Sequence, residues 1–382
     1  MNKPYLTLAA SMLVTFVLGS VHAFSVFIAP LEELLLLPRS EVSLIYSLAL
    51  VMLTLAVLLG YRIYPLLAPA RLILITCLVA ATGLALASRM SGWWQLCIGY
   101  SLVFGFSNGI GYGYSLQLVG RAMPEIKGFA MGAVTAAYAV GSVVFAQVFA
   151  WRIAVAGVES ALLAIAMALV VCGLAAASML RIAGASYVLP DDGRHDGDIR
   201  GAEIALFWIA YMASVFAGLM AIGHAAGIAL SRNATFELST LAAITTGIGS
   251  ALGGFASGWL IARFSAGRLM IGLPLLSAAA LLAMTLSGEV LSVVALLSLV
   301  GFSYGSVIAV YPVAISNRFG ARGPEAYGRV FTAWGFAGLA GPWSAGWIFD
   351  WRGGYEPALL AAAGIAVLSA LLAARIRSRQ FA

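Results

Sequence analysis

Charge is what this sequence has least of. Only 9% of its 382 residues are Asp, Glu, Lys or Arg, against roughly 25% in an ordinary soluble domain. So few charged groups cannot cover a water-soluble fold of this size, which excludes that class. Cysteine is scarce as well: Cys77, Cys97 and Cys172 lie inside apolar runs at wide spacing, giving neither a disulfide framework nor a metal motif. No G-x-x-x-x-G-K-[ST] loop occurs, so a P-loop ATPase is excluded. No cluster of nucleophile, base or metal ligands appears, which argues against an enzyme and against any metal or cofactor. A sensor would carry a soluble output domain, yet the longest polar stretch, 182–202, is about twenty residues. The net charge of +6 is spread over arginines at the ends of apolar runs, with no continuous basic face for a nucleic-acid partner.

Apolar sequence fills the space that charge leaves. Hydrophobic residues make up 62% of the chain, and the short charged clusters divide it into twelve apolar runs, each near the ~20 residues that cross a bilayer as a helix. The runs read as helices over 5–28, 41–60, 71–88, 93–118, 128–150 and 156–180, then 203–229, 237–261, 269–286, 290–315, 329–348 and 357–374. This is the pattern of an all-α integral membrane protein with membrane lipid as its first partner. Lys3, the apolar stretch from Tyr5 and the small residues around Val21-His22-Ala23 also fit a cleaved secretory signal. Cleavage would leave an odd helix count, so 5–28 is kept as the first span. Asn233-Ala234-Thr235 fits a glycosylation site, but the match is short, and the short loops suggest a bacterial cytoplasmic membrane.

Charge also predicts orientation. With both termini cytoplasmic, sixteen basic residues fall on the inner side, among them Lys3, Arg62, Arg121, Arg181, Arg194, Arg200, Arg263, Arg268, Arg377 and Arg379. Arg39, Arg89, Arg152, Arg232 and Arg352 fall outside, so the split follows the positive-inside rule.

The chain repeats itself. Gly105-Phe106-Ser107-Asn108-Gly109 recurs 196 positions later as Gly301-Phe302-Ser303-Tyr304-Gly305, and His22-Ala23 recurs 202 positions later as His224-Ala225. The reading is two six-helix bundles, 1–181 and 203–382, joined by a cytoplasmic linker at 182–202. Glycines four apart at Gly128/Gly132, Gly249/Gly253 and Gly254/Gly258 are expected to let helices pack closely. Parallel repeats of this kind build the major facilitator fold. Gly258-Trp259-Leu260-Ile261-Ala262-Arg263-Phe264-Ser265-Ala266-Gly267-Arg268 resembles that superfamily's G-x-L-x-D-R-x-G-R-R signature, with Ala262 in place of Asp; the first-half counterpart has Tyr64 there. The resemblance assigns Gly258, Arg263 and Arg268 to the cytoplasmic gate. The two missing carboxylates imply a weaker latch and a larger inward-open population.

Further stretches narrow the resemblance. Gly109-Ile110-Gly111-Tyr112-Gly113, the run from Met123-Pro124-Glu125 to Gly132, and Tyr327-Gly328-Arg329-Val330-Phe331-Thr332-Ala333-Trp334 look like the oxalate/formate antiporters and monocarboxylate transporters. In that family an arginine in helix 8 and a lysine in helix 11 clamp oxalate. Here those positions hold Gly254 and Trp334. A dicarboxylate would find no fixed cations in a low-dielectric site.

The resemblance makes helices 1, 4, 7 and 10 cavity-lining, with 5 and 11 at the edges. Candidate substrate-binding residues are His22, Asn108, Tyr112, Tyr138, His224, Tyr304, Phe331 and Trp334. Tyr112 and Tyr138 match the family's aromatic box, and Phe331 and Trp334 extend it. His22 and His224 are the clearest titratable groups deep within the spans, and an intramembrane imidazole is a functional hypothesis by default. Protonated, they would supply the charge the clamps lack and couple carboxylate to proton. The alternative is two neutral histidines hydrogen-bonded across helix interfaces.

The sequence therefore reads as a secondary active transporter, monomeric and without cofactor. It would move a small-molecule substrate, a small organic anion such as a monocarboxylate, by alternating access with proton symport or exchange. The alternative is efflux of an uncharged or amphipathic compound.

Overall fold

The computed structural model describes residues 3–187 and 201–380. The linker residues Arg194 and Arg200 and the polar run 190–198 lie outside the described residues, as do the side chains of Arg377 and Arg379. The chain divides into two compact units, Met1–Asp191 and Asp192–Ala382.

Helices account for nearly all of the first unit. They are α1 (Lys3–Leu35), α2 (Arg39–Ile63), α3 (Pro69–Ala87), α4 (93–122), α5 (127–155) and α6 (158–183). Two of them change winding. In α1, residues Gly19–Phe27 tighten to a 3-10 helix just ahead of Pro30, which has no N–H and crowds the preceding turn. In α4, Cys97–Phe104 widens to a π-helix before Gly105–Ala122 resumes α geometry. Between α5 and α6 the only break is Ala156-Gly157, where Gly157 takes φ +80°, a conformation glycine adopts without a Cβ penalty.

The second unit contains α7 (Gly201–Leu230), α8 (Phe236–Phe264), α9 (Ala266–Leu286), α10 (Val290–Phe319), α11 (Gly323–Arg352) and α12 (Glu356–Gln380). The sequence reading placed α1 and α11 shorter than they are. Charged and polar residues at both ends, such as Glu325 and Arg352, made the ends look like loop.

Among the described residues, nine stretches are long and apolar enough to cross a membrane. One of these is Pro124–Ala183, which contains both α5 and α6. Neither α4, interrupted by its π-stretch, nor α11, diluted by glycine and tryptophan, is among them.

Burial on α8 is inverted relative to a soluble helix. Its small and polar residues Ser239, Thr240, Thr246, Gly249, Gly253 and Ser257 are buried, while Leu252, Phe255 and Trp259 are 56–66% exposed. Lipid offers no reason to hide leucine, so small residues take the helix contacts. This is an integral, multi-pass membrane protein.

The duplication seen in sequence is repeated in the packing. A Cβ on Gly105 or Gly109 of α4 would lie 2.7 and 2.2 Å from the backbone oxygens of Ala49 and Leu53 on α2. One on Gly301 or Gly305 of α10 would lie 2.2 and 1.9 Å from those of Thr246 and Ser250 on α8. Gly141 of α5 presses on the Phe16 carbonyl of α1, and Gly341 of α11 lies against the Phe216 carbonyl of α7. Each unit thus pairs its first helix with its fifth and its second with its fourth.

Of the three glycine pairs picked out by spacing, only Gly249/Gly253 packs, on Ser298 and Phe302. A methyl at Gly128, Gly132 or Gly258 would have no described atom within 4 Å, and one at Gly254 would have only a 3.9 Å contact. Spacing alone does not say which face of the helix meets a neighbour.

Candidate functional site

In the first unit the candidate residues form one hydrogen-bonded and aromatic set. Asn108 on α4 is fully buried. Its Nδ2 donates to the Leu18 carbonyl at 2.7 Å, where α1 changes to 3-10 winding. Its Oδ1 accepts from the Tyr138 hydroxyl of α5 at 3.0 Å. These two bonds fix the amide orientation, since a carbonyl only accepts. Tyr138 packs edge-on against His22 at 5.6 Å and against Tyr112 at 4.8 Å. Tyr112 reaches Thr135 at 3.5 Å. His22 sits within the 3-10 stretch, half-buried, with Nδ1 2.7 Å from the Tyr46 hydroxyl of α2. Phe24 stacks on Tyr46 at 5.5 Å.

The second unit repeats one link of that set with different side chains. Trp334 Nε1 of α11 donates to the Tyr304 hydroxyl of α10 at 2.9 Å. Both pairs are separated by 30 residues, and both members are displaced by 196 between the units, Asn108 to Tyr304 and Tyr138 to Trp334. Phe331 lies parallel to Trp334, 5.9 Å away and 5° off, and Tyr327 packs on Phe331 at 5.8 Å. Trp208 of α7 donates to Thr332 at 2.7 Å. The amide–phenol contact of one unit is therefore an indole–phenol contact in the other, flanked by a stacked aromatic pair.

The two histidines are placed unequally. His224 is fully buried. Its Nε2 donates to the Pro342 carbonyl of α11 at 2.7 Å, which leaves Nδ1 to meet the Tyr355 hydroxyl at 2.8 Å. Those two bonds tie α7 to α11 and to the start of α12. In this unit the ring is satisfied by a backbone carbonyl and a phenol, whereas His22 stands beside Tyr138 at the aromatic set.

Among the residues assigned to the gate, Arg263 and Arg268 are exposed at the turn between α8 and α9. Ser265 makes that turn at φ +64°, and Arg263 lies 6.0 Å from the Phe264 ring. Tyr64, at the first-half signature position, is 3% exposed and fills the space left by Gly60 and Gly113. Arg152 donates to Ser160 across the α5–α6 break.

Ion pairs lie at helix ends. Arg39 pairs with Glu32, and Arg318 with Glu203. Glu325, at the start of α11, lies between Arg322 at 2.9 Å and Arg329 at 2.7 Å. The Arg322 hydrogen bond leads in holding its carboxyl below the usual range.

Sequence reading did not find Tyr46, Thr135, Pro342 or Tyr355. A buried imidazole needs hydrogen-bond partners, but nothing in the spacing names Tyr46 or places Tyr355 on a helix. It also passed over Phe149-Ala150-Trp151-Arg152 and Phe349-Asp350-Trp351-Arg352, a repeat whose arginines lie 5.5 and 3.9 Å over the preceding tryptophan.

No protein-family model matches the chain. Over 349 residues it is 25% identical to the uncharacterised MFS-type transporter YhjX of Escherichia coli strain K12, covering 88% of this chain and 86% of that one. Its fold matches the crystal structure of a bacterial homologue of the human lysosomal transporter Spinster, inward-facing and unoccupied, with TM-score 0.69, 13% identity and coverage of 98% and 97%. It also matches a point variant of the nucleoside transporter NupG, with TM-score 0.73, 13% identity and coverage of 98% and 100%.

Proposed function

We infer that this chain, a membrane transporter of the major facilitator type, moves a small organic anion, a monocarboxylate, across a bacterial cytoplasmic membrane. The observation that carries this reading is the set of Asn108, Tyr138, Tyr112 and His22: neutral donors and acceptors around one imidazole. A carboxylate held there by hydroxyl and amide groups needs one compensating charge, and His22 is the group that can gain it. Gly254 and Trp334 stand where the resembling dicarboxylate carriers have cations, which favours one carboxylate over two. Coupling is assigned to His22. His224, whose ring bonds join three helices, is assigned an anchoring role. Tyr304, Phe331 and Trp334 are assigned as the second unit's own apolar contacts to substrate. Transport proceeds by alternating access in a monomer, with Gly258, Arg263 and Arg268 at the cytoplasmic gate.

The parallel Phe331–Trp334 rings favour a second reading, an uncharged planar or amphipathic cargo. Proteoliposome flux separates the two. A panel of monocarboxylates, dicarboxylates, nucleosides and amphipathic cations is assayed with and without an inward proton gradient. Monocarboxylate uptake stimulated by the gradient is the expected result. Flux of uncharged compounds alone, indifferent to pH, would replace the proposal with the second reading.

A further inference from the structure

Away from the aromatic set, the first unit has a cavity of about 310 Å³ at one end of its helix bundle. Lys3, Pro4 and Thr7 of α1, Leu118, Arg121 and Ala122 of α4, and Ala183 to Ser186 after α6 form its walls. Among the described residues, two cations and two hydroxyls line it, and no carboxylate does. Gly184 shapes the third wall: at φ +60° it ends α6 and turns the chain across the cavity.

The cation on α4 is held in place. The Arg121 guanidinium lies 3.9 Å from the centroid of the Tyr187 ring. Tyr187 in turn packs on Tyr114 at 5.3 Å and Tyr64 at 6.0 Å. Burial raises the Tyr187 phenol while Arg121 opposes the rise. Tyr64 is the residue that replaces the signature carboxylate. An Asp there would offer Arg121's surroundings a competing anion, whereas a neutral tyrosine brings no negative charge to them.

We propose that this cavity binds a phosphate group through Lys3 and Arg121, with an anionic phospholipid headgroup as its source. A volume near the lower bound of small-ligand pockets, roughly 300 Å³, is enough for a headgroup. The cavity opens at helix ends, where headgroups lie. Charge places that end on the cytoplasmic side, and basic pockets between spanning helices there recognise anionic headgroups. Guanidinium and ammonium together suit the group: Arg supplies a planar fork and Lys a point charge.

The test is thermal unfolding of purified protein in neutral detergent. Phosphatidylglycerol, phosphatidylcholine, inorganic phosphate, or chloride at matched ionic strength is added to wild type, Lys3→Gln and Lys3→Gln/Arg121→Gln. Phosphatidylglycerol is expected to raise the wild-type midpoint by about 2–4 °C, phosphatidylcholine and chloride not at all, and both variants to lose most of the rise. Lys3→Gln leaves the Arg121–Tyr187 contact in place, so a loss there is not a folding defect. A rise with inorganic phosphate that the variants also lose supports the site and shows that the free ion suffices. Equal rises in wild type and variants, or no rise with either phosphate source, overturn it. This outcome is independent of the flux panel, because it does not depend on cargo.

Discussion

Asn108 shows how much one buried amide can determine. It is the only described residue that bonds at once to the Leu18 carbonyl and the Tyr138 hydroxyl. Removing either partner leaves a buried polar atom without its bond, a loss of about 1–3 kcal/mol. Tyr138→Phe and Asn108→Ala are each expected to lower the unfolding midpoint. The double variant should cost less than the sum, because one shared bond is counted twice; strict additivity would show that the two do not interact. The histidines are expected to separate by assay. His224→Ala removes the ring that satisfies Pro342 and Tyr355, so it should lower stability while flux per folded molecule persists. His22→Gln should fold normally and transport without a proton-gradient dependence. If His22→Gln keeps the wild-type pH profile, His22 has no coupling role. The residue types of the set were legible in the sequence; Tyr46 and Tyr355 were not, because a hydrogen bond 24 or 131 residues away leaves no local pattern.

Helices in this protein are positioned by where glycine meets a carbonyl. A methyl at Gly305 would stand 1.9 Å from the Ser250 oxygen, and one at Gly109 2.2 Å from that of Leu53. Either Gly→Ala change must push α10 from α8 or α4 from α2, at or above the upper end of the ~1–3 kcal/mol typical of overpacking. Gly132→Ala meets no described atom, so it should be neutral or slightly stabilising through helix propensity, by up to about 1 kcal/mol. Detergent melting of the three variants checks the order, and equal losses would refute it. Glu325 gives a pH-dependent case at the start of α11. Its carboxyl is held low by Arg322 and then Arg329, so its contribution is full above the unfolded value of about 4.3 and lost as pH falls through the lower folded value. Hydrogen exchange at 323–330 should therefore be slower in wild type than in Glu325→Gln near neutral pH, and the two should converge under strongly acidic conditions. The helices themselves were legible because apolar runs and charged ends need only local sequence. The 3-10 turn at Gly19–Phe27 and the π-stretch at Cys97–Phe104 were not, because long-range contacts help to set the winding. Gly19, for instance, would put a methyl 1.9 Å from the Tyr138 oxygen.

For the molecule as a whole, the duplication is the deepest regularity, and it constrains function through its exceptions. The same pair of positions carries amide and phenol in one unit, and phenol and indole in the other. The same histidine position stands beside an aromatic set in one and anchors helices in the other. The duplicated positions thus carry a polar, titratable set in the first unit and an aromatic set in the second. Direction of transport then depends on which way the scaffold sits in the membrane. Sixteen basic residues against five predict both termini in the cytoplasm. A fluorescent-protein fusion at the carboxyl terminus is expected to fluoresce, and alkaline phosphatase inserted after Arg152 or Arg352 to be active. Phosphatase activity at the terminus instead would invert the molecule. The cavity at Lys3 and Arg121 would then face the outer leaflet, and the proton gradient that drives uptake in the proposed cycle would approach it from the opposite side.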